Sequence, residues 1–469
     1  MQHVSTSIPF LKSARRGALL LALGVAGPAA WGQSFGPASV YSTESTPGER
    51  SAPVGVTVGD VNGDGRPDIV TASYSSARVT LLYGQANGFA PAASYASDGF
   101  YTPILSDFNG DGRLDFVSSF FGAAVPVLYG QAGGGFPVIS RYPAGGVGAG
   151  LGVAVGDMNR DGRPDIVMFD GLGVKVLLGL ATGGFAPVVI YNSSAVSQAG
   201  VVRDVNGDGW LDAVSAKSGQ IAVLYGQASG LAPAVTYSNG TGTSGTFIIG
   251  DVNGDGRQDI VTTDFSSTTT GAYTVLLGQP GGFASFSAYS LGTFSGLIRA
   301  LGDVTGDGLP DLILTNGPLV GVLTGQVGGF STTISTYPIG GGGRNAQDVA
   351  LSDLNGDGRL DIVTANWLSY DVSVLLNTGT CMPLAATRAT AAPDVALAPN
   401  PAHDAFSVTL PAGTAATRAE LLNALGQVVR RPAVDGPRFT VETAGLAPGV
   451  YSLRLRTGEA VLARRVIVE

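Results

Sequence analysis

Short apolar runs bounded by glycine and aspartate recur along the central part of the chain, the first set being "VGVTVGD", "DIVTAS", "VTLLYGQ" and "FAPAASYA". Runs of this length, rich in valine and isoleucine and separated by turn residues, predict β-strands rather than helices. The set repeats. A nine-residue polar pattern, D-x-N-x-D-G-x-x-D, begins at Asp60, Asp107, Asp157, Asp204, Asp251, Asp303 and Asp353, at intervals of 47, 50, 47, 47, 52 and 50 residues. Each of the first six copies is followed by two apolar strands, a turn that reads Gly-Phe in all but the fourth, and a third strand, and a fourth run leads into the next copy. Four strands per unit of about 45 residues is the period of a β-propeller.

The seventh copy ends at "VSVLLNTGT" without its phenylalanine-containing strand, whereas "SFGPASVY" stands alone ahead of the first copy. Placing that strand beside the seventh copy would complete it and remove a free sheet edge. The expectation is an all-β, seven-bladed β-propeller over residues 33–380, followed by a small β-sandwich. The second unit, 394–469, follows a Pro/Ala/Thr-rich linker at 381–393 and reads as short alternating strands: "AFSVTL", "RAELLNALGQVV", "RFTVET", "VYSLRLRT" and "AVLARRVIVE". Ahead of the repeats, Lys12, Arg15 and Arg16 precede an apolar run at 18–27, and Ala30-Trp31-Gly32 supplies small residues at a cleavage site. Residues 1–32 are expected to be a secretory signal peptide cut before Gln33. Its apolar run is too short to span a bilayer, and no later segment suits a transmembrane helix.

Composition removes most catalytic chemistry. Glycine makes up 71 of 469 residues, charged residues only 13%, and the two histidines are His3 and His403. From Ser51 to Thr380 there is no His, Cys or Glu, which excludes a Ser-His-Asp triad, a Cys-His pair, a His-ligated zinc and a Glu-based glycosidase pair there. The single Cys381 forms no internal disulfide, and no Gly-Lys dipeptide provides a P-loop.

The aspartate pattern supplies hard oxygen donors at positions 1, 3, 5 and 9 and a carbonyl at position 7, with glycine at 6 for the sharp turn, like the front of an EF-hand loop. The candidate ligand sets are Asp60, Asn62, Asp64, Arg66 and Asp68; Asp107, Asn109, Asp111, Arg113 and Asp115; and Asp157, Asn159, Asp161, Arg163 and Asp165. The fourth and fifth are Asp204, Asn206, Asp208, Trp210 and Asp212, then Asp251, Asn253, Asp255, Arg257 and Asp259. The last two are Asp303, Thr305, Asp307, Leu309 and Asp311, then Asp353, Asn355, Asp357, Arg359 and Asp361. Thr305 departs from the pattern at position 3, and Arg160 replaces glycine at position 4 of the third copy. Between Ser51 and Thr380 there are 26 Asp against 13 Arg plus Lys, and 21 of those aspartates lie in the loops. Converging carboxylates repel unless a cation sits between them, so up to seven structural Ca²⁺ ions are expected, replacing disulfides as staples. Without a bidentate Glu at position 12, each site should bind at about 0.1–1 mM.

The repeat resembles the FG-GAP or VCBS family, and the resemblance implies the propeller and its calcium sites. The C-terminal unit resembles the sorting domain of the type IX secretion system of Bacteroidota through "LAPNPA", "LLNALGQVV", "LAPGVYSLRL" and the "ARRVIVE" ending. That implies export, with type IX machinery as a partner, and release or anchoring at the cell surface.

If the aspartate loops join strands 1 and 2, the opposite rim carries the non-motif aspartates Asp98, Asp170, Asp264, Asp348 and Asp371, together with Tyr101, Phe121, Lys217, Arg344 and Trp367. These are the candidate ligand-binding residues. The leading reading is a secreted calcium-binding propeller that binds a glycan or protein without chemistry of its own. A polysaccharide lyase or hydrolase and a purely structural matrix protein are the alternatives; Tyr101, Phe121 and Trp367 converging on one pocket would favour glycan binding, and their burial or dispersal a protein-binding or structural role. Nucleic acid is disfavoured by a sequence pI of about 4.8.

Overall fold

The computed structural model describes residues 35–379, except 47, 241–245, 265–270, 327 and 341–344, and residues 395–468, except 400–401, 411–415, 417, 424–427, 435, 447–448 and 458–459. The signal segment, Arg344, Cys381 and the linker lie outside the described residues. Two compact units divide at Cys381 and Met382.

Four-stranded antiparallel sheets recur through the first unit. The first consists of Pro53–Gly59, Asp68–Ser73, Arg78–Leu82 and Ala93–Ala96, side by side in chain order. The fourth, fifth and sixth repeats form sheets of the same order. In the second and third, Asp115–Tyr129 and Val138–Gly156 each run through two strand positions, so two repeats share one six-stranded sheet. Register breaks between Pro143 and Leu151 mark the passage from one repeat to the next. In the last repeat, Ala346–Ser352, Asp361–Asn366 and Asp371–Leu375 are joined by the N-terminal strand Ser39–Ser42, with Ser39 opposite Val374 and Ser42 opposite Asp371. The whole is a β-propeller-like, all-β arrangement.

Burial explains the strand composition. Every residue of Asp68–Ser73 and Asp361–Asn366 is buried, because each sheet is covered on both faces by its neighbours. Hydrophobic clusters accordingly draw on successive repeats: Val70 and Leu81 pack with Phe116 and Phe136, while Val167 and Phe169 pack with Ala213 and Leu224. One cluster joins the ends of the series, Val56, Ile69 and Leu82 with Val363, Val372 and Val374.

The outer strands are mostly exposed, yet each carries one tyrosine: Tyr41, Tyr95, Tyr142, Tyr191, Tyr237, Tyr289 and Tyr337. For most of them the physical reason lies in the following repeat, whereas Tyr289 stacks at 5.1 Å on Tyr273 of its own repeat. Tyr41 meets Phe89 edge-on at 5.2 Å, Tyr142 meets Phe185 at 4.9 Å and Tyr237 meets Phe283 at 5.3 Å. The Gly-Phe turn is thus an inter-sheet latch, and its glycine makes room for the ring. At Gly135 (φ +92°) a Cβ would sit 2.3 Å from the Tyr95 hydroxyl. Aromatic pairs of this geometry contribute about 0.5–1.5 kcal/mol beyond buried area.

The second unit has a three-stranded sheet, Ala396–Ala398, Ala405–Thr409 and Arg438–Glu442, and a four-stranded one built on Arg418–Leu422 and Gly449–Thr457. Phe406, Val408, Leu421, Val441 and Leu453 from both sheets share one core.

Candidate functional site

Each aspartate loop connects the first and second strands of its sheet. In the first, Asp60 Oδ1 accepts the Gly63 N–H at 2.7 Å and the Asp64 N–H at 3.1 Å, and Oδ2 accepts the Gly65 N–H at 2.8 Å. Asn62 Oδ1 accepts the Asp64 N–H at 2.8 Å. Gly63 and Gly65 hold φ of +75° and +83°, values that favour glycine. The position-9 aspartate is turned into the sheet: Asp68 is fully buried, with Oδ2 accepting the Val61 N–H at 3.0 Å and Oδ1 the Gly84 N–H at 2.7 Å. This clamp recurs in all seven copies, for example Asp165 to Met158 and Gly179 at 2.7 Å each, and Asp361 to Leu354 and Asn377. It ties the loop to the hairpin after the third strand, so both lie on one rim. Burial pushes Asp115, Asp165, Asp212 and Asp311 up to about 6, opposed by those N–H bonds and reinforced by the loop carboxylates.

These contacts revise the charge argument made from the sequence. Position 1 is held by backbone N–H groups and position 9 by the clamp. In five copies the position-5 carboxylate pairs with the position-7 arginine, as in Arg113 with Asp111 at 2.5 Å, Arg163 with Asp161, and Arg257 with Asp255 at 3.3 Å. Repulsion is therefore relieved in part by the chain itself. Among the described residues no three His, Cys, Asp or Glu side chains gather into a metal-holding group. The donor set still suits a hard cation. Positions 1 and 5 supply carboxylates, position 3 an amide or hydroxyl oxygen and position 7 a carbonyl, and a position-9 oxygen bonded to one N–H retains a second lone pair.

The two departures in the third and fourth copies belong together. Arg160, at φ +60°, crosses to the neighbouring loop, where its guanidinium donates to the carbonyls of Gly209 (2.9 Å) and Asp208 (3.0 Å) and lies 4.2 Å from the Trp210 ring centroid. In the sixth copy Thr305 Oγ1 donates to Asp303 Oδ1 at 3.2 Å.

On the opposite rim, Tyr101 and Phe121 come together, with ring centroids 6.3 Å apart. Tyr74, which the sequence reading passed over, completes a trio at 5.5 Å from Tyr101. All three are substantially open, at 46% for Tyr74, 40% for Tyr101 and 48% for Phe121. Aligning the copies one residue past the second strand would have exposed the column, which reads Tyr74, Phe121, Phe265 and Trp367 in four of them. Trp367 is 37% exposed in its own turn. Asp98 is exposed and paired with Arg141, Nε to Oδ2 at 2.7 Å.

Three other candidates serve the fold. Asp170 is buried against Lys175 at 2.8 Å and accepts the Leu172 and Gly173 N–H groups. Although burial works to raise it, the Lys175 ammonium and these bonds hold its carboxyl below the ordinary value. Lys217 Nζ donates to the carbonyls of Ser194 (2.8 Å) and Gly171 (3.2 Å), joining two repeats. Asp371 is buried and accepts from Asn366 at 2.7 Å and Ser369 at 3.0 Å. Loop position in sequence did not reveal that these side chains turn inward to satisfy local donors and acceptors. Asp264 ends the strand Asp259–Asp264, and its side chain lies outside the described residues, as does Arg344.

Asp348 sits on the first strand of the last repeat, beside a register break between Ala346 and Asp348. Its Oδ2 accepts the Val56 N–H of the first repeat at 3.1 Å. Burial pushes this carboxyl up to about 6, against the Val56 bond and the charge of Arg299. Arg299 occupies the equivalent break in the sixth repeat, between Ile298 and Ala300, and its Nε donates to Thr315 Oγ1 at 3.2 Å.

The FG-GAP-like repeat family matches residues 60–118, 107–168, 204–262, 251–314 and 303–364, together more than half of the chain. The secretion system C-terminal sorting domain matches 396–469. No curated protein matches in sequence. Among solved structures, BBS1N in complex with ARL6DN, from a mercury-soaked crystal, is 11% identical with a TM-score of 0.51, over 74% of this chain and 98% of that one. An Agrocybe aegerita lectin that recognises non-reducing terminal N-acetylglucosamine is 21% identical with a TM-score of 0.47, over 66% of this chain and 85% of that one. The sorting domain implies interaction with type IX secretion machinery and points to secretion or cell-surface export. Among the described residues no helix is long and apolar enough to cross a membrane. The chain belongs to the FG-GAP-like repeat family and carries a secretion system C-terminal sorting domain.

Proposed function

We propose that this is an exported, seven-bladed calcium-binding β-propeller that binds a glycan on the rim opposite its aspartate loops and performs no chemistry on it. The observation that carries the reading is the exposed trio Tyr74, Tyr101 and Phe121, with Tyr101 at 5.5 Å from Tyr74 and 6.3 Å from Phe121. Sugar rings present C–H faces that stack on such surfaces, and exposed aromatics without such a use would be costly on a secreted surface. The absence of His, Cys and Glu from 51–380 supports binding over turnover. Calcium would be held in each loop by positions 1, 3, 5 and 7, with position 9 contributing its remaining lone pairs, and would fix the loop rather than touch the ligand. Binding of the mature protein to immobilised glycans in calcium buffer tests this reading. Tyr101→Ala and Phe121→Ala should each reduce retention about tenfold or more at unchanged melting temperature. Retention that survives both substitutions would locate the ligand elsewhere and return the trio to ordinary surface.

A further inference from the structure

A continuous path of contacts joins the aromatic trio to the inner wall of the repeat series. Gly55 is packed so closely on the second repeat that a Cβ there would lie 3.2 Å from the Thr102 backbone, immediately after Tyr101. The next residue, Val56, donates to Asp348 Oδ2 at 3.1 Å. Asp348 and Arg299 stand at equivalent register breaks in the first strands of successive repeats, and burial lowers the Arg299 guanidinium against the opposing charge of Asp348. The first, second, sixth and seventh repeats each carry a register break at this same end of their first strands, next to Pro53, Gly99, Arg299 and Asp348. Breaks of this kind redirect side chains and collect beside binding sites. Only the Nε of Arg299 is engaged, by Thr315; among the described residues its two terminal nitrogens have no hydrogen-bond partner, and they are not sealed from solvent. Asp348 is held back by the Val56 N–H and does not close on the guanidinium as an ion pair. A half-buried arginine whose terminal nitrogens make no hydrogen bond can receive a carboxylate, since the guanidinium fork matches a carboxylate in two parallel bonds. The aspartate loops lie on the other rim, and Asp348, whose charge bears on Arg299, is engaged by the Val56 N–H.

We propose that Arg299 receives the carboxylate of an acidic glycan whose neighbouring rings stack on Tyr74, Tyr101 and Phe121. This rests on the glycan-binding reading above. Polygalacturonate, its carboxyl-reduced counterpart and a sulfated galactan are the probes, with affinity measured by calorimetry in calcium buffer. The native chain should bind polygalacturonate about tenfold or more tighter than the reduced polymer. Arg299→Gln should erase that preference, Arg299→Lys should keep part of it, and Tyr101→Ala should weaken both polymers while the preference persists. Equal binding of the charged and reduced polymers, or a preference unchanged in Arg299→Gln, would overturn the role of Arg299 and leave the stacking platform standing. Stronger binding of the sulfated galactan would overturn the carboxylate assignment. Failure to bind any of the three, with Tyr101→Ala likewise inert, would remove both readings together.

Discussion

Replacing Asp165 by Asn separates a backbone clamp from a metal ligand. The carboxylate is fully buried and accepts one N–H on each oxygen, from Met158 and Gly179, both at 2.7 Å. Asparagine keeps the shape but only one acceptor, so one buried N–H faces an amide NH₂, at a cost of about 1–3 kcal/mol. Losing a charge that burial disfavours offsets part of this, leaving a net loss of about 1–2 kcal/mol. Unfolding entropy of about 2.1 cal/mol/K per residue, over the roughly 345 residues from Phe35 to Gly379, converts 2 kcal/mol into a fall of about 3 °C. The assay is thermal unfolding in chelator and again in millimolar calcium. The clamp predicts the fall in both. The contrast is Asp161→Asn, which keeps an oxygen for the Arg163 N–H, removes a partly exposed ion pair with Arg163 and an exposed bond from the Asn159 amide, and should cost little in chelator. In calcium that variant should lose whatever stabilisation the ion gives its loop. A melting point unchanged in chelator for Asp165→Asn, with a loss confined to calcium, would refute the clamp and assign position 9 to the metal alone.

The same aspartates set a pH dependence. Folded values of about 6 for Asp115, Asp165, Asp212 and Asp311, against an ordinary 3.8, mean that folding takes up protons between these limits. Their contribution in chelator is therefore complete below about pH 4, falls as the pH rises through 6 and is flat above. Asp115→Asn, melted from pH 4 to 8, should show a shallower decline than the native chain. Gly135→Ala forces a side chain into φ +92° and against the Tyr95 hydroxyl, and should cost about 2 kcal/mol by denaturant titration without altering glycan retention. In the second unit Glu420, whose side chain is 6% exposed, gathers Arg418 and Arg454 at 2.6 Å and Arg431 at 3.4 Å. Glu420→Ala should lower stability by about 1–2 kcal/mol, a figure reduced because the arginines are themselves half exposed. Arg160→Gly relieves a positive φ but loses two carbonyl bonds and the Trp210 face, for a net loss of about 1 kcal/mol. With Trp210→Arg also present, the same substitution should become stabilising, as it then removes a like charge; a double-mutant cycle reads the change of sign.

Strand positions and loop order were legible because each depends on features local in sequence. "DIVTAS" and its counterparts are apolar at consecutive positions because the second strand of every sheet is covered on both faces. The aspartate loops were legible as turns with convergent oxygens. Their internal division was not, since a spacing of nine residues does not say that position 9 points inward to the Gly84 amide while positions 1 and 5 stay at the surface. The rim was harder still. Asp170, Lys217 and Asp371 resemble free loop charges in sequence, yet Lys175, two carbonyls and Asn366 respectively take them up. Tyr74 was missed because its ring partner, Tyr101, belongs to the next repeat, so no local spacing joins the two. The outer-strand tyrosines were passed over for a different reason: their partners, the Gly-Phe turns, belong to the next repeat, about 45 residues away.

That last separation bears on where function can reside in such a chain. Positions that recur in every copy, the clamp aspartate and the outer tyrosine, and the Gly-Phe turn that recurs in most, are each committed to packing or backbone partners and tolerate little change. Arg160 with Trp210 shows that a departure on the aspartate rim is absorbed by a compensating departure in the adjacent loop. Tyr74, Tyr101, Phe121 and Arg299 differ in kind: they vary between copies, and the three rings meet across the first and second repeats while staying substantially exposed. A repeated scaffold held by nearest-neighbour contacts leaves the ends of its first and second strands free to diverge. The trio and the Arg299 guanidinium lie at those ends, which is the physical reason for seeking the ligand there rather than among the seven aspartate loops.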